Sequence, residues 1–202
     1  MQEQQTFCYA QIQNKTMVYA YNLDKTKFNK IKKVGAVMSK PFHVFNLRSF
    51  LKGALIVLFP PLIGFISSMI TRDSMTVYNV LVKPPLAPPS FIFPIVWGIL
   101  FFLMGIALLL VVRQGYEKPY VKDAIKYFII YLALNFLWPI VFFNFESFFF
   151  AFLILLIMWI FLGIAAAKFY RISHLAGWLL LPTWLWTIFA GYLNLAVWIL
   201  NR

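Results

Sequence analysis

Five runs of about twenty or more mostly apolar residues, at positions 51–70, 91–112, 124–145, 147–169 and 175–200, dominate this sequence. A helix rising 1.5 Å per residue needs about 20 such residues to cross a hydrocarbon core roughly 30 Å thick. Inside lipid every backbone N–H and C=O must be satisfied within the protein, so the runs predict spanning helices. The expected fold is therefore all-α, a polytopic five-transmembrane-helix bundle. Composition agrees, with 62% hydrophobic and only 12% charged residues, where a soluble domain carries about 25% charged. A soluble single domain is excluded, and an aromatic share of 20% excludes intrinsic disorder.

Between the third and fourth runs only Asn144, Glu146 and Ser147 are polar. Those two helices must turn back tightly through positions 143–148 and lie antiparallel as neighbours. No internal repeat suggests an inverted-repeat transporter. With five spans, the amino end and the second and fourth connections share one side. That side carries nine Lys and Arg between positions 15 and 52, then Arg113, Lys118, Lys122, Lys126, Lys168 and Arg171, against Arg72, Lys83 and Arg202 on the other. The positive-inside rule then places the amino end in the cytoplasm and the carboxyl end outside a bacterial cell membrane.

Residues 1–48 read as a polar, basic cytoplasmic tail, and residues 49–202 as the transmembrane domain. The tail lacks the apolar core of a signal peptide. Two readings are open: a disordered segment touching anionic headgroups, or translation beginning at Met38.

The formal charge of +12 is dispersed between apolar runs rather than gathered on one face, so no nucleic-acid partner is expected. A single cysteine, Cys8, and two separated histidines, His43 and His174, make neither a disulfide nor a metal site. Asp73, Glu117, Asp123 and Glu146 all fall in connections, leaving no carboxylate at mid-membrane depth for a proton relay. Hydrolytic catalysis has no support, and no cofactor is required.

The first connection holds five prolines in the eleven positions 84–94 (Pro84, Pro85, Pro88, Pro89 and Pro94) and follows Lys83. Proline fixes φ and drives its predecessor toward extended geometry, so this stretch is expected to be non-helical. It is either a rigid spacer or a lid over the bundle mouth. Trp178 and Trp198 lie twenty residues, about 30 Å, apart and read as interfacial anchors. Trp97, Trp138, Trp159 and Trp186 lie deeper, where each indole N–H wants a partner. Helical spacing puts Trp97 with Phe101, Asn135 with Trp138, and Pro182, Trp186, Ala190 and Asn194 on shared faces. A buried Asn135 fits either an interhelical hydrogen bond or a ligand contact.

Several ordered pieces resemble one family: Pro60-Pro61-Leu62-Ile63-Gly64, Tyr78-Asn79-Val80-Leu81-Val82-Lys83-Pro84-Pro85 before Pro88-Pro89, Phe93-Pro94-Ile95-Val96-Trp97, Met104-Gly105-Ile106-Ala107, Asn135-Phe136-Leu137-Trp138, and Pro182 through Trp186 to Leu193-Asn194. The chain is similar to the TspO/MBR family, also called translocator protein, tryptophan-rich sensory protein or peripheral-type benzodiazepine receptor. The resemblance implies a five-helix bundle, often a homodimer. Its cavity beneath the first connection would bind a porphyrin such as protoporphyrin IX or haem, or a sterol-like molecule, as sensor or transporter. The implied ligand-binding residues are Trp97, Phe101, Asn135, Trp138, Trp186 and Ala190, beneath Lys83, Pro84, Pro88 and Pro89. An enzymatic alternative carried by the resemblance is light- and oxygen-dependent breakdown of protoporphyrin IX, with Trp97 and Trp186 as the catalytic pair.

The chain departs from the family's pattern in places. Leu86 and Phe91 replace loop tryptophans, Phe101 replaces a common tyrosine, and Thr183 replaces the one after the helix-five proline. Leu195 and Ile199 stand where a sterol motif needs tyrosine and arginine, which argues against cholesterol transport.

Overall fold

The computed structural model describes residues 47–202. The expectations concerning the basic tail, a start at Met38, Cys8 and His43 lie outside the described residues. The helices are α1 (Leu47–Ile70), α2 (Ser74–Val80), α3 (Ile92–Val112), α4 (Pro119–Pro139), α5 (Phe148–Ile172) and α6 (His174–Leu200), with a π-helical turn, Ile140–Asn144, continuing α4. Among the described residues five of these are long and apolar enough to cross a membrane: α1, α3, α4 with its π turn, α5 and α6. The all-α, five-helix membrane bundle is thus the observed architecture, and no strand occurs among the described residues.

The boundaries differ from expectation for local reasons. Helix α4 starts at Pro119 rather than 124, because a proline suits the first helical position, after an extended Lys118. Polar turns with Lys122, Asp123 and Lys126 carry it past the apolar run. The first connection is not wholly non-helical: Ser74–Val80 is helical, and Pro94 falls in the first turn of α3. There its missing N–H costs nothing, since the first four N–H groups of a helix have no internal partner. Positions 81–91 are irregular, as the prolines demand.

At the far end of α4, Pro139 offers no N–H, and the ladder widens into a π turn in which Phe145 N donates to Ile140 O at 3.2 Å. Glu146 then takes φ +49 to reverse the chain. Helices α4 and α5 are antiparallel neighbours, and Lys168 Nζ of α5 donates to Asp123 of α4.

Phe128 and Tyr131 of α4, Met104 of α3, Leu155 and Phe169 of α5 and Leu180 of α6 are buried at the centre of the bundle. Helix α1 stands apart in character, with Gly53, Pro60 and Ser67 its buried residues. Its Leu55 and Phe65 are more than half exposed and face lipid. It is held by close approaches instead. Pro61 removes the donor that would have satisfied the Val57 carbonyl, and that oxygen lies against Gly105, where an added Cβ would sit 2.0 Å from it. One turn on, Gly64 receives the Phe101 ring, 2.3 Å from where a Cβ would stand. Ser67 Oγ donates to Phe136 O at 3.2 Å, fixing α1 to α4.

Candidate functional site

A half-open apolar cleft of about 180 Å³ lies between α1, α3, α4 and α6, with α2 and the π turn at one end. No residue of α5 lines it. Its walls arise from the sequence in order. The aligned turns of α3 present Trp97 and Phe101, their rings 5.6 Å apart. The i, i+3 pair Asn135 and Trp138 comes from α4, and Ala190 with Asn194 from α6. Small Ala190 leaves the space that a larger side chain would fill.

Most of the polar atoms in the walls are already committed. Trp138 Nε1 donates to Asn194 Oδ1 at 3.0 Å, and Asn194 Nδ2 donates to Phe148 O at 2.7 Å. Thr71 Oγ1 donates to Ser67 O. Asn135 differs: its Nδ2 donates to the Tyr131 hydroxyl at 3.2 Å, while its carbonyl oxygen has no hydrogen-bond partner among the described residues. The Ser74 and Ser90 hydroxyls in the wall are likewise without a hydrogen bond among the described residues, and an apolar cleft with these few unpaired acceptors suits a flat, largely apolar ligand carrying an N–H or O–H donor.

The first connection covers one end of the cleft and is fastened there. Tyr78 donates its hydroxyl to Pro88 O at 2.9 Å and Tyr192 donates to Pro85 O at 2.9 Å. Asn201, just beyond α6, accepts Val82 N–H and donates to Val82 O, each at 2.9 Å. Burial raises the Tyr78 hydroxyl above its ordinary pKa of 10.0, so it stays a donor well into the alkaline range. At the tip of the cover Leu86 takes φ +68 and is 83% exposed.

Of the residues expected at the site, Trp97, Phe101, Asn135, Trp138 and Ala190 line the cleft together. Trp186 stands behind Phe93, ring centroids 6.3 Å apart, and its Nε1 is buried with no partner among the described residues. Lys83 lies over the Tyr78 ring at 5.0 Å, on the cover rather than in the cleft. Pro84 is buried, and Pro84, Pro88 and Pro89 act through their carbonyls, which accept from Ala87 N, Tyr78 and Ile92 N. Tyr78 and Asn201, as fasteners, and the hydroxyl-bearing Ser67, Thr71 and Ser74 were not anticipated. Tyr78 lies within a recognisable motif, but nothing in the sequence pairs Asn201 with Val82.

Trp159 finds its neighbour outside the cleft, stacked on Trp184 at 5.0 Å. Gly163 faces the same Trp184, 3.1 Å from the place of a Cβ, so this small residue serves packing within the bundle. Trp178 is 60% exposed, as an interfacial anchor should be, and Trp198 carries Arg202 over its ring at 5.4 Å.

The profile of the TspO/MBR family matches residues 56–199. The chain is 38% identical over 140 residues to a tryptophan-rich protein TspO of Chlorobaculum tepidum, covering 69% of this chain and 89% of that protein. It is 33% identical over 144 residues to the translocator protein of Bos taurus, covering 70% and 85%. To protein CrtK of Rhodobacter capsulatus it is 30% identical over 124 residues, covering 61% and 78%.

Proposed function

This chain belongs to the TspO/MBR family, and from that membership together with the covered cleft we propose that it binds a tetrapyrrole, protoporphyrin IX or haem, as a membrane sensor or transporter. The observation that carries the reading is the coincidence of Trp97, Phe101 and Trp138 with the unpaired carbonyl of Asn135 in one apolar cleft. A macrocycle stacks on aromatic faces, and a pyrrole N–H or protonated propionate supplies the donor that Asn135 lacks. The half-open cleft, at about 180 Å³, is below the roughly 300–1,000 Å³ typical of drug-sized sites, so binding requires the cover or a ring at its edge to move. The amino end is assigned to the cytoplasm from the basic-residue asymmetry.

Porphyrin breakdown would need both Trp97 and Trp186 at the ligand. Trp97 is in the wall, whereas Trp186 is screened by Phe93, so binding is the favoured reading. The test is titration of the purified chain in detergent with protoporphyrin IX in the dark, followed by tryptophan quenching and then illumination. Saturable quenching that weakens about tenfold in Asn135→Leu and Ala190→Phe, with a stable porphyrin spectrum, is expected. Quenching that never saturates, or is indifferent to both substitutions, would overturn the reading. A new absorbing product on illumination would replace it with the enzymatic one.

A further inference from the structure

On the far side of Phe143 from the cleft, the same ring walls a second, open groove lined by Ile66, Met69 and Ile70 of α1, Val77 of α2, and Asn144. Its rim carries Arg72 and Asp73. These neighbouring, oppositely charged side chains form no ion pair with each other. Asp73 holds the N-cap position of α2 yet makes no capping bond, though aspartate there ordinarily accepts from the helix. Neither charge has a partner among the described residues. Helix α1 ends at Ile70 and the π turn at Asn144, so the groove lies where two apolar spans stop, at headgroup depth. Ile66 and Met69 are exposed and lead from the charged rim back along the apolar span.

We propose that this groove binds a zwitterionic aminophospholipid, phosphatidylethanolamine, with its phosphate on Arg72, its ammonium on Asp73 and an acyl chain along Ile66 and Met69. Charge complementarity selects the occupant. A lone guanidinium would favour an anionic lipid, whereas a guanidinium beside an unpaired carboxylate matches a headgroup carrying one phosphate and one ammonium. A primary ammonium donates hydrogen bonds to a carboxylate, which a choline trimethylammonium cannot do. Because Phe143 faces both compartments, the acyl chain packs on the back of the cleft wall.

The experiment is native mass spectrometry of the delipidated full chain, offered equal mixtures of phosphatidylethanolamine, phosphatidylcholine and phosphatidylglycerol of matched chains. Retention of phosphatidylethanolamine about fivefold above the other two is expected, the scale of a partly solvated charge pair. Asp73→Asn should turn the preference toward phosphatidylglycerol, and Arg72→Gln should abolish it. Excess soluble phosphoethanolamine should fail to displace the lipid, since it lacks the chain. A wild-type preference for phosphatidylglycerol, equal retention of all three, or no change in Asp73→Asn would overturn the proposal, and displacement by phosphoethanolamine would overturn the acyl-chain part. Circular dichroism of both variants, whose substitutions are on exposed residues, separates loss of the site from loss of the fold.

Discussion

The Val57 carbonyl oxygen and Gly105 meet without room for a methyl group between them, a Cβ at 105 standing 2.0 Å from that oxygen. Pro61 creates the free carbonyl and glycine admits it, so α1 is docked on α3 by a backbone contact that a Cα–H···O interaction can favour. Because α1 buries so little else, this contact sets where its cleft-lining turn falls. Gly105→Ala should therefore push α1 outward and destabilise the chain by about 1–3 kcal/mol. Thermal unfolding in detergent measures the loss, and an unchanged midpoint would show that α1 is positioned otherwise.

Asn201→Ala loosens the cover by removing both hydrogen bonds to Val82, leaving the Tyr192–Pro85 bond as its tie to α6. Each such bond contributes about 0.5–1.5 kcal/mol. The closed state should lose population, so porphyrin should associate and dissociate faster by about three- to tenfold, with a smaller change in affinity. Stopped-flow quenching reads both rates, and unchanged rates would mean that the cover does not limit access.

Trp138→Phe keeps the ring and removes the N–H that occupies Asn194 Oδ1. The unpaired acceptor should cost about 1–3 kcal/mol of stability. Trp138→Phe combined with Asn194→Leu, which removes both partners, should recover part of it in a double-mutant cycle.

Tyr78 is the one titratable side chain in the cleft wall among the described residues, and burial raises its pKa from 10.0. A raised pKa in the folded state means that the bond to Pro88 O is fully present below pH 10.0 and lost only as pH rises above that ordinary value. Ligand affinity should accordingly be flat between about pH 6 and 9 as far as the protein is concerned. Tyr78→Phe should remove any weakening seen at higher pH, and a midpoint near neutrality would contradict the assignment.

The spans were legible because apolar length is a property of one segment at a time, and five runs give five helices. The face shared by Asn135 and Trp138 was legible for a similar reason: both residues sit on one rigid helix. Trp186 exposes the limit of that logic. Its stripe with Ala190 and Asn194 is a correct statement about α6, yet Phe93 from another helix interposes itself, and periodicity within a helix carries no information about what arrives from outside. Helix α2 was hidden because seven residues carry too few turns to display a period. The π turn was hidden because it depends on how the ladder slips past Pro139. The Asn201 tether needed the whole fold.

Val82 and Asn201 are 119 residues apart. At roughly 5–20 residues per second, synthesis of the intervening chain takes about 6–24 s. Throughout that interval α1, α2 and the proline stretch exist while their fastening does not. Helix α6 supplies both the last wall of the cleft, through Ala190 and Asn194, and the latch for its cover, so the site is completed and closed in one late step of biogenesis, and a ligand cannot be enclosed before the whole chain has entered the membrane.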